Sequence, residues 1–135
     1  MIDFDFITHI AFGLMVGYGM DYLILNFTFK EMIFYYAFIV IGSVLPDIDT
    51  PYSYLGKRLR PISDIIYKTI GHRSATHSIV IITIAFFIGV LIWEINTILV
   101  GLLLGALIHV LGDLMTPQGV CIAYPLNKKR YKLMK

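Results

Sequence analysis

An all-α membrane bundle is the fold class this sequence predicts, and three observations carry it. Of 135 residues, 58% are hydrophobic and only 15% charged, with a mean hydropathy of +0.78. That is more apolar surface than one small soluble domain buries. The apolar residues fall in four helix-length stretches, 6–27, 32–45, 79–93 and 98–115. Tyr18, Tyr22, Tyr35, Tyr36 and Trp93 lie at or near the ends of these stretches, where an interfacial aromatic belt places them. A water-soluble bundle of very apolar helices is the alternative.

The first stretch is long enough to cross a bilayer, since a crossing needs about 20 residues at roughly 1.5 Å rise each. It opens MIDFDF, without a basic region or a small-residue cleavage site, and is expected to belong to the mature fold. The second and third stretches reach spanning length only with polar ends such as Lys30, Glu31, Ser43 and the run 74–78. Short turns join the first to the second and the third to the fourth. Between the second and third lies LPDIDTPYSYLGKRLRPISDIIYKTIGHRSATHS, punctuated by Pro46, Pro51 and Pro61. Within it, 63–70 predicts a short amphipathic helix capped by Ser63 and stopped at Gly71. A single membrane-embedded domain over 1–135 accounts for the whole pattern. Cys121, the single cysteine, excludes an internal disulfide and a Cys-rich zinc cluster and reads as a packing residue.

Basic residues set the topology. Lys57, Arg58, Arg60, Lys68 and Arg73 lie in the long loop; Lys128, Lys129, Arg130, Lys132 and Lys135 lie in the tail. A four-helix arrangement puts both groups on one side and leaves Lys30 on the other. The positive-inside rule makes that side, with both termini, cytoplasmic.

The same topology gathers the residues that carry chemistry. His9 begins helix one, Asp47 and Asp49 follow helix two, His72 and His77 precede helix three, and His109 and Asp113 close helix four, all at one face. Helix one reads His9, Gly13, Gly17, Asp21 and helix four reads Gly101, Gly105, His109, Asp113, each at steps of four, so each set shares a helix face. Small residues let membrane helices approach closely. Packing these two stripes together is expected to set His9 beside His109 and Asp113.

Each motif has a plain alternative. His109 and Asp113, one turn apart, form a metal-ligand pair or a histidine bonded to its own aspartate. Asp47 and Asp49, on extended backbone after Pro46, would point in different directions, one binding metal while the other bridges metals or takes a proton; helix C-capping and turn chemistry are the rival. In GHRSATHS, His72 comes from the loop and His77 from the first turn of helix three, which Ser74 or Thr76 would cap. Arg73 offers a planar fork to an anion, and the helix start adds partial positive charge, so Arg73, Ser74 and Thr76 fit a phosphate-like group. Lys57 and Arg58 are further candidates for binding it, though they also serve as topology anchors attracted to anionic lipid. No basic-aromatic array supports a nucleic-acid partner.

Thr8-His9 with Gly13, LPDIDTPYS, His72-Arg73-Ser74-x-Thr76-His77-Ser78, His109-x-x-Gly112-Asp113, Thr116-Pro117-x-Gly119 and Tyr124-Pro125 resemble the YdjM-like family of inner-membrane-associated metal-dependent hydrolases, which has LexA-regulated members. The resemblance implies a multi-pass protein whose His and Asp residues form a hydrolytic metal site. With it, the sequence predicts hydrolysis of a phosphoester, a lipid headgroup or another membrane-associated substrate, at the inner membrane's cytoplasmic face. His9, Asp47, Asp49, His72, His77, His109 and Asp113 are the candidate ligands; mixed nitrogen and oxygen donors favour Zn²⁺, or Mn²⁺ or Fe, over Mg²⁺ and Ca²⁺. Seven donors exceed one tetrahedral site, so two ions about 3.5 to 4 Å apart are expected. Asp49 would accept the proton of the attacking water, and Arg73 would stabilise charge on the phosphoryl oxygens. A metal or proton transporter is the rival from another class, disfavoured by the scarcity of polar residues in the far halves of helices three and four. A non-catalytic adaptor with a structural metal is the third reading.

Overall fold

The computed structural model describes residues 5–133. Its elements are α1 (Phe6–Met20), continued by a π-helical turn at Asp21–Leu25; α2 (Phe29–Val44), continued by a 3₁₀ turn at Pro46–Asp49; α3 (Tyr54–Arg58); α4 (Arg60–Thr69); a 3₁₀ turn at Ala75–His77; α5 (Ile79–Trp93); and α6 (Thr97–Leu114). Helices one, two, three and four of the sequence reading correspond to α1, α2, α5 and α6. The fold is all-α, with one isolated antiparallel bridge, Val120 to Tyr131, among the described residues.

Local chemistry sets the helix ends. Asp5 caps α1 by accepting from Thr8 N at 2.9 Å, and bonds from Thr8 hold its carboxyl below the usual range. Glu31 reaches back to Thr28 N and Oγ1 at the start of α2. Asn96 caps α6 through Leu99 N.

Three helices are long and apolar enough to cross a membrane: Phe6–Leu25, Phe29–Asp49 and Thr97–Leu114. The fourth, α5, has 15 residues and extends about 22 Å, short of the roughly 30 Å hydrocarbon core. Only 22% and 28% of the first two spans are buried inside the protein. Leu23, Phe29, Phe87, Leu91 and Trp93 stand outward instead, an apolar surface of the kind a bilayer covers. The core helix is α6, half buried and packed against α2 more extensively than any other pair in the fold.

Glycine explains that pairing and corrects one expectation. A Cβ on Gly101 would meet the carbonyl oxygen of Tyr35 at 2.5 Å, one on Gly42 that of Leu102 at 2.5 Å, and one on Gly105 would collide with Ile39 O and Ser43 N. Backbone therefore lies on backbone along the whole α2–α6 seam. Gly13 and Gly17 of α1 also face α2, against Ser43, Ile39 and Tyr35. The glycines of the two stripes do not pack on each other; both sets pack on α2, although α1 and α6 also touch directly.

Three further boundaries differ from the sequence reading. The amphipathic helix begins at Arg60 with Pro61 in its first turn, so Ser63 is inside it rather than its cap; proline's fixed φ and missing N–H suit that first turn. Gly71, at φ +84°, does end it. Ser78, not Ser74 or Thr76, caps α5 by accepting from Ile81 N, and His77 sits in the preceding 3₁₀ turn. Asp47 and Asp49 lie on a 3₁₀ turn, not extended backbone.

The tail doubles back onto the long loop. Cys121 N donates to Arg73 O at 3.1 Å, Ile79 N to Ile122 O at 3.0 Å, and Ser78 Oγ to Tyr124 O at 2.6 Å. Arg130 donates to His72 O. The two basic regions thus share one end of the bundle, as their charge predicts; Lys135 lies outside the described residues. Cys121 is a buried packing residue.

Candidate metal centre

The α2–α6 seam ends in a polar cluster. From α6 come His109 and Asp113, from the turn after α2 come Asp47 and Asp49, from α1 comes His9, and from the loop before α5 come His72 and His77. His9, Asp49, His77, His109 and Asp113 are all at most 1% exposed, although each is polar or ionisable. Burial of that kind is tolerated only with partners or a metal.

Four of these residues turn donor atoms to one point. Asp47, His77, His109 and Asp113 each offer one atom, all within 4.8 Å of one another. His109 Nδ1 donates to the Ser43 carbonyl at 2.7 Å, which leaves the Nε2 lone pair facing the cluster. His77 is held the same way, its Nδ1 lying 3.2 Å from Asp49 Oδ2 and 3.0 Å from Thr76 Oγ1. The two inward Nε2 atoms are 3.1 Å apart. Asp113 Oδ2 is 3.1 Å from His77 Nε2 yet accepts no well-angled hydrogen bond.

Between three carboxylates, His77 is strongly basic. Burial opposes its charge, but Asp113, Asp47 and Asp49 outweigh burial and push it up to about 10. A metal ion entering here therefore displaces a proton from His77.

A second group, Asp47, Asp49 and His72, shares Asp47 with the first. His72 Nδ1 is 2.6 Å from Asp49 Oδ1, and the His72 side chain is 28% exposed. The other oxygen of Asp49 is used as well: its Oδ2 accepts from Arg73 N at 2.9 Å and from Thr76 Oγ1.

Comparison with known proteins matches residues 4–134 to the model of the YdjM inner membrane protein family. The chain belongs to that family. It is 41% identical over 91 residues, 64% of this chain, to the inner membrane protein YdjM of Escherichia coli (strain K12) and equally to that of Shigella flexneri. It is 31% identical over 85 residues, 63% of this chain, to YvsG of Bacillus subtilis (strain 168). The matches cover 46% of the two YdjM proteins and 53% of YvsG, so the chain spans about half the length of these relatives. No solved structure matches it. YdjM membership and the apolar helices together support an inner-membrane location.

Several site expectations change within this YdjM-family fold. His9 does reach the cluster, stacking on His109 with ring centroids 3.8 Å apart and 3.6 Å from Asp113 Oδ1, but it stands outside both donor groups. Arg73 is not a free fork for an anion. Its guanidinium is committed to Asp113 Oδ1 and Thr116 Oγ1, both at 2.8 Å, on a backbone at φ +59°. Thr76 serves Asp49 rather than a ligand, and among the described residues no hydrogen bond joins Ser74 to the cluster. Asp49 holds His72 on Oδ1 and Arg73 N and Thr76 on Oδ2.

Lys57 and Arg58 do reach the site's edge. They line a cleft of about 350 Å³ with Asp5, Phe6, Tyr52, Ser53, Tyr54 and Asp47, the carboxylate common to both donor groups. Arg58 lies over the Tyr54 ring at 3.8 Å, while Lys57 has no ion-pair partner among the described residues. Two contributors escaped the sequence reading. The Ser43 carbonyl orients His109, and Thr116 bridges Arg73 to the Asp113 backbone at 2.8 Å. A backbone carbonyl leaves no mark in a sequence; Thr116 was visible only as part of the Thr116-Pro117-x-Gly119 resemblance.

Proposed function

We propose that the protein is a membrane-bound, metal-dependent hydrolase of a phosphoester, working at the cytoplasmic face of the inner membrane. The observation that carries this reading is the inward-facing set of His77 Nε2, His109 Nε2, Asp47 Oδ1 and Asp113 Oδ2, beside a cleft to which Lys57 and Arg58 contribute. A zinc-type ion held there supplies Lewis acidity to a phosphoryl group and its attacking water.

The protein's own groups divide the remaining work. Ser43 O and the Asp49–Thr76 pair fix the two imidazole rings, and Arg73 with Thr116 fixes Asp113, so the donors are set before substrate arrives. Lys57 attracts the phosphate into the cleft, whose lining includes Asp47, the carboxylate common to both donor groups. His72, oriented by Asp49 and partly open to solvent, is the group best placed to take a proton from water. This moves the role first given to Asp49 onto its partner, and it replaces Arg73 with Lys57 as the anion contact.

Metal analysis of the purified protein, followed by a screen of phosphomonoesters, phosphodiesters and phospholipids, tests the reading. Turnover that needs a divalent metal and falls with His109→Ala and His72→Ala supports it. Bound metal without turnover on any of them leaves the structural-metal adaptor. Metal-dependent flux into liposomes favours the transporter.

A further inference from the structure

We propose that the α3–α4 segment lies in the headgroup layer of an anionic leaflet as an amphipathic interfacial helix, bearing on the turn that carries Asp47 and Asp49. Three flanks of α4 differ in character. One flank is buried against the protein, with Ser63 fully enclosed and Ile66 half covered; a second is polar, with Arg60, Asp64 and Lys68 one turn apart. The third is apolar and largely open: Ile62 is 50% and Ile65 63% exposed. On a helix these three directions are adjacent arcs, so an apolar arc can face down beside the protein while the polar arc faces water.

The occupant follows from charge and position. Lys57, Arg58, Arg60 and Lys68 outnumber Asp64, the single acid between 54 and 69. Each basic residue near an anionic leaflet is worth about fivefold in partitioning. The segment leaves α2 where that helix ends as a membrane span, so its apolar arc continues the lipid-facing surface of the bundle. Both α3 and α4 pack on the Pro46–Asp49 turn. Lipid under α4 therefore supports the turn holding two candidate ligands and brings the mouth of the Lys57 and Arg58 cleft to the level of lipid phosphates. The proposal stands on exposure and charge and is independent of the hydrolase reading.

The test uses the full chain in liposomes, with Cys121→Ala and a single environment-sensitive dye on Ile65→Cys, Ile62→Cys or Asp64→Cys. All three positions lie on the helix surface, and agreement between the two isoleucine sites guards against a local packing defect. In vesicles containing phosphatidylglycerol, dye at 62 and 65 should be quenched severalfold more by shallow nitroxide lipids than dye at 64, and shielded from aqueous iodide. Combining Lys57→Gln, Arg60→Gln and Lys68→Gln should erase the difference between phosphatidylglycerol and phosphatidylcholine vesicles. Iodide access at 62 and 65 equal to that at 64 overturns the proposal. So does shielding from iodide without quenching by nitroxide lipid, because a second protein surface then covers the helix.

Discussion

The two sides of α6 are built differently. Towards α2, the glycines at 42, 101 and 105 bring backbone onto backbone, and the four-donor cluster sits at the end of that seam. Towards α5, Gly89 faces only the tip of the Leu99 side chain, and an apolar crevice of about 180 Å³ remains between Leu45, Ile82, Phe86, Leu103 and Ala106. The seam without free volume is the one whose ends carry Asp47, Asp49, His109 and Asp113. Metal donors need fixed separations, and only rigid backbone contact keeps two helices in fixed register without a hydrophobic driving force between them.

Substituting the glycines tests this contrast most strongly. Gly105→Ala should cost about 3 kcal/mol or more, because the new methyl meets backbone that has nowhere to move. Gly89→Ala should cost about 1 kcal/mol or less, since a leucine end can rotate away. Unfolding in mixed micelles measures both, and equal losses would break the comparison.

Next in size is the cluster itself. His109→Ala should weaken zinc binding more than about 100-fold, beyond the 10–100-fold typical of losing an outer partner. Isothermal titration reads it, with circular dichroism confirming retained helix. Arg73→Gln removes such an outer partner from Asp113 and should weaken binding about tenfold; a loss as large as that of His109→Ala would make Arg73 part of the framework rather than an orienting group.

The pH dependence has a definite sign. Below about 10 the empty site holds a proton on His77, and metal binding must release it. Zinc affinity should therefore rise with pH, close to tenfold per unit between pH 6 and 8 if His77 alone releases a proton. Proton release measured in two buffers of different ionisation enthalpy checks this, and an affinity flat in pH would show that His77 carries no proton before metal binds. The smallest effect belongs to the loose side: Ala106→Leu, filling the crevice, should shift stability by no more than about 1 kcal/mol and leave zinc affinity unchanged.

Sequence periodicity located all four apolar helices to within a few residues, because their long runs have no competing interpretation. The grouping of His and Asp at one end was also legible, since it follows from the order of helices and the placement of basic residues. The partner of each glycine stripe was not. A stripe shows that a face approaches something closely, not what, and α2, whose own partner position is the single Gly42, hid the true contact. The α5 cap was misplaced because Ser74, Thr76 and Ser78 are chemically equivalent candidates, and only the docking of Ser78 on Tyr124 O decides among them.

By itself the sequence determined the solvent in which this protein folds, the helices that result, and the end of the bundle at which its ionisable residues meet. These depend on composition and on local spacing, which neighbours in the chain fix. Tertiary structure alone decided which donor atoms face inward. Arg73 turns to Asp113 rather than outward, Asp49 holds His72, Arg73 N and Thr76, and His72 is left partly open because residues far apart in the chain supply the carbonyls, hydroxyls and backbone N–H groups that hold them. Such bonds depend on where each backbone group comes to rest, and every residue type carries the same backbone.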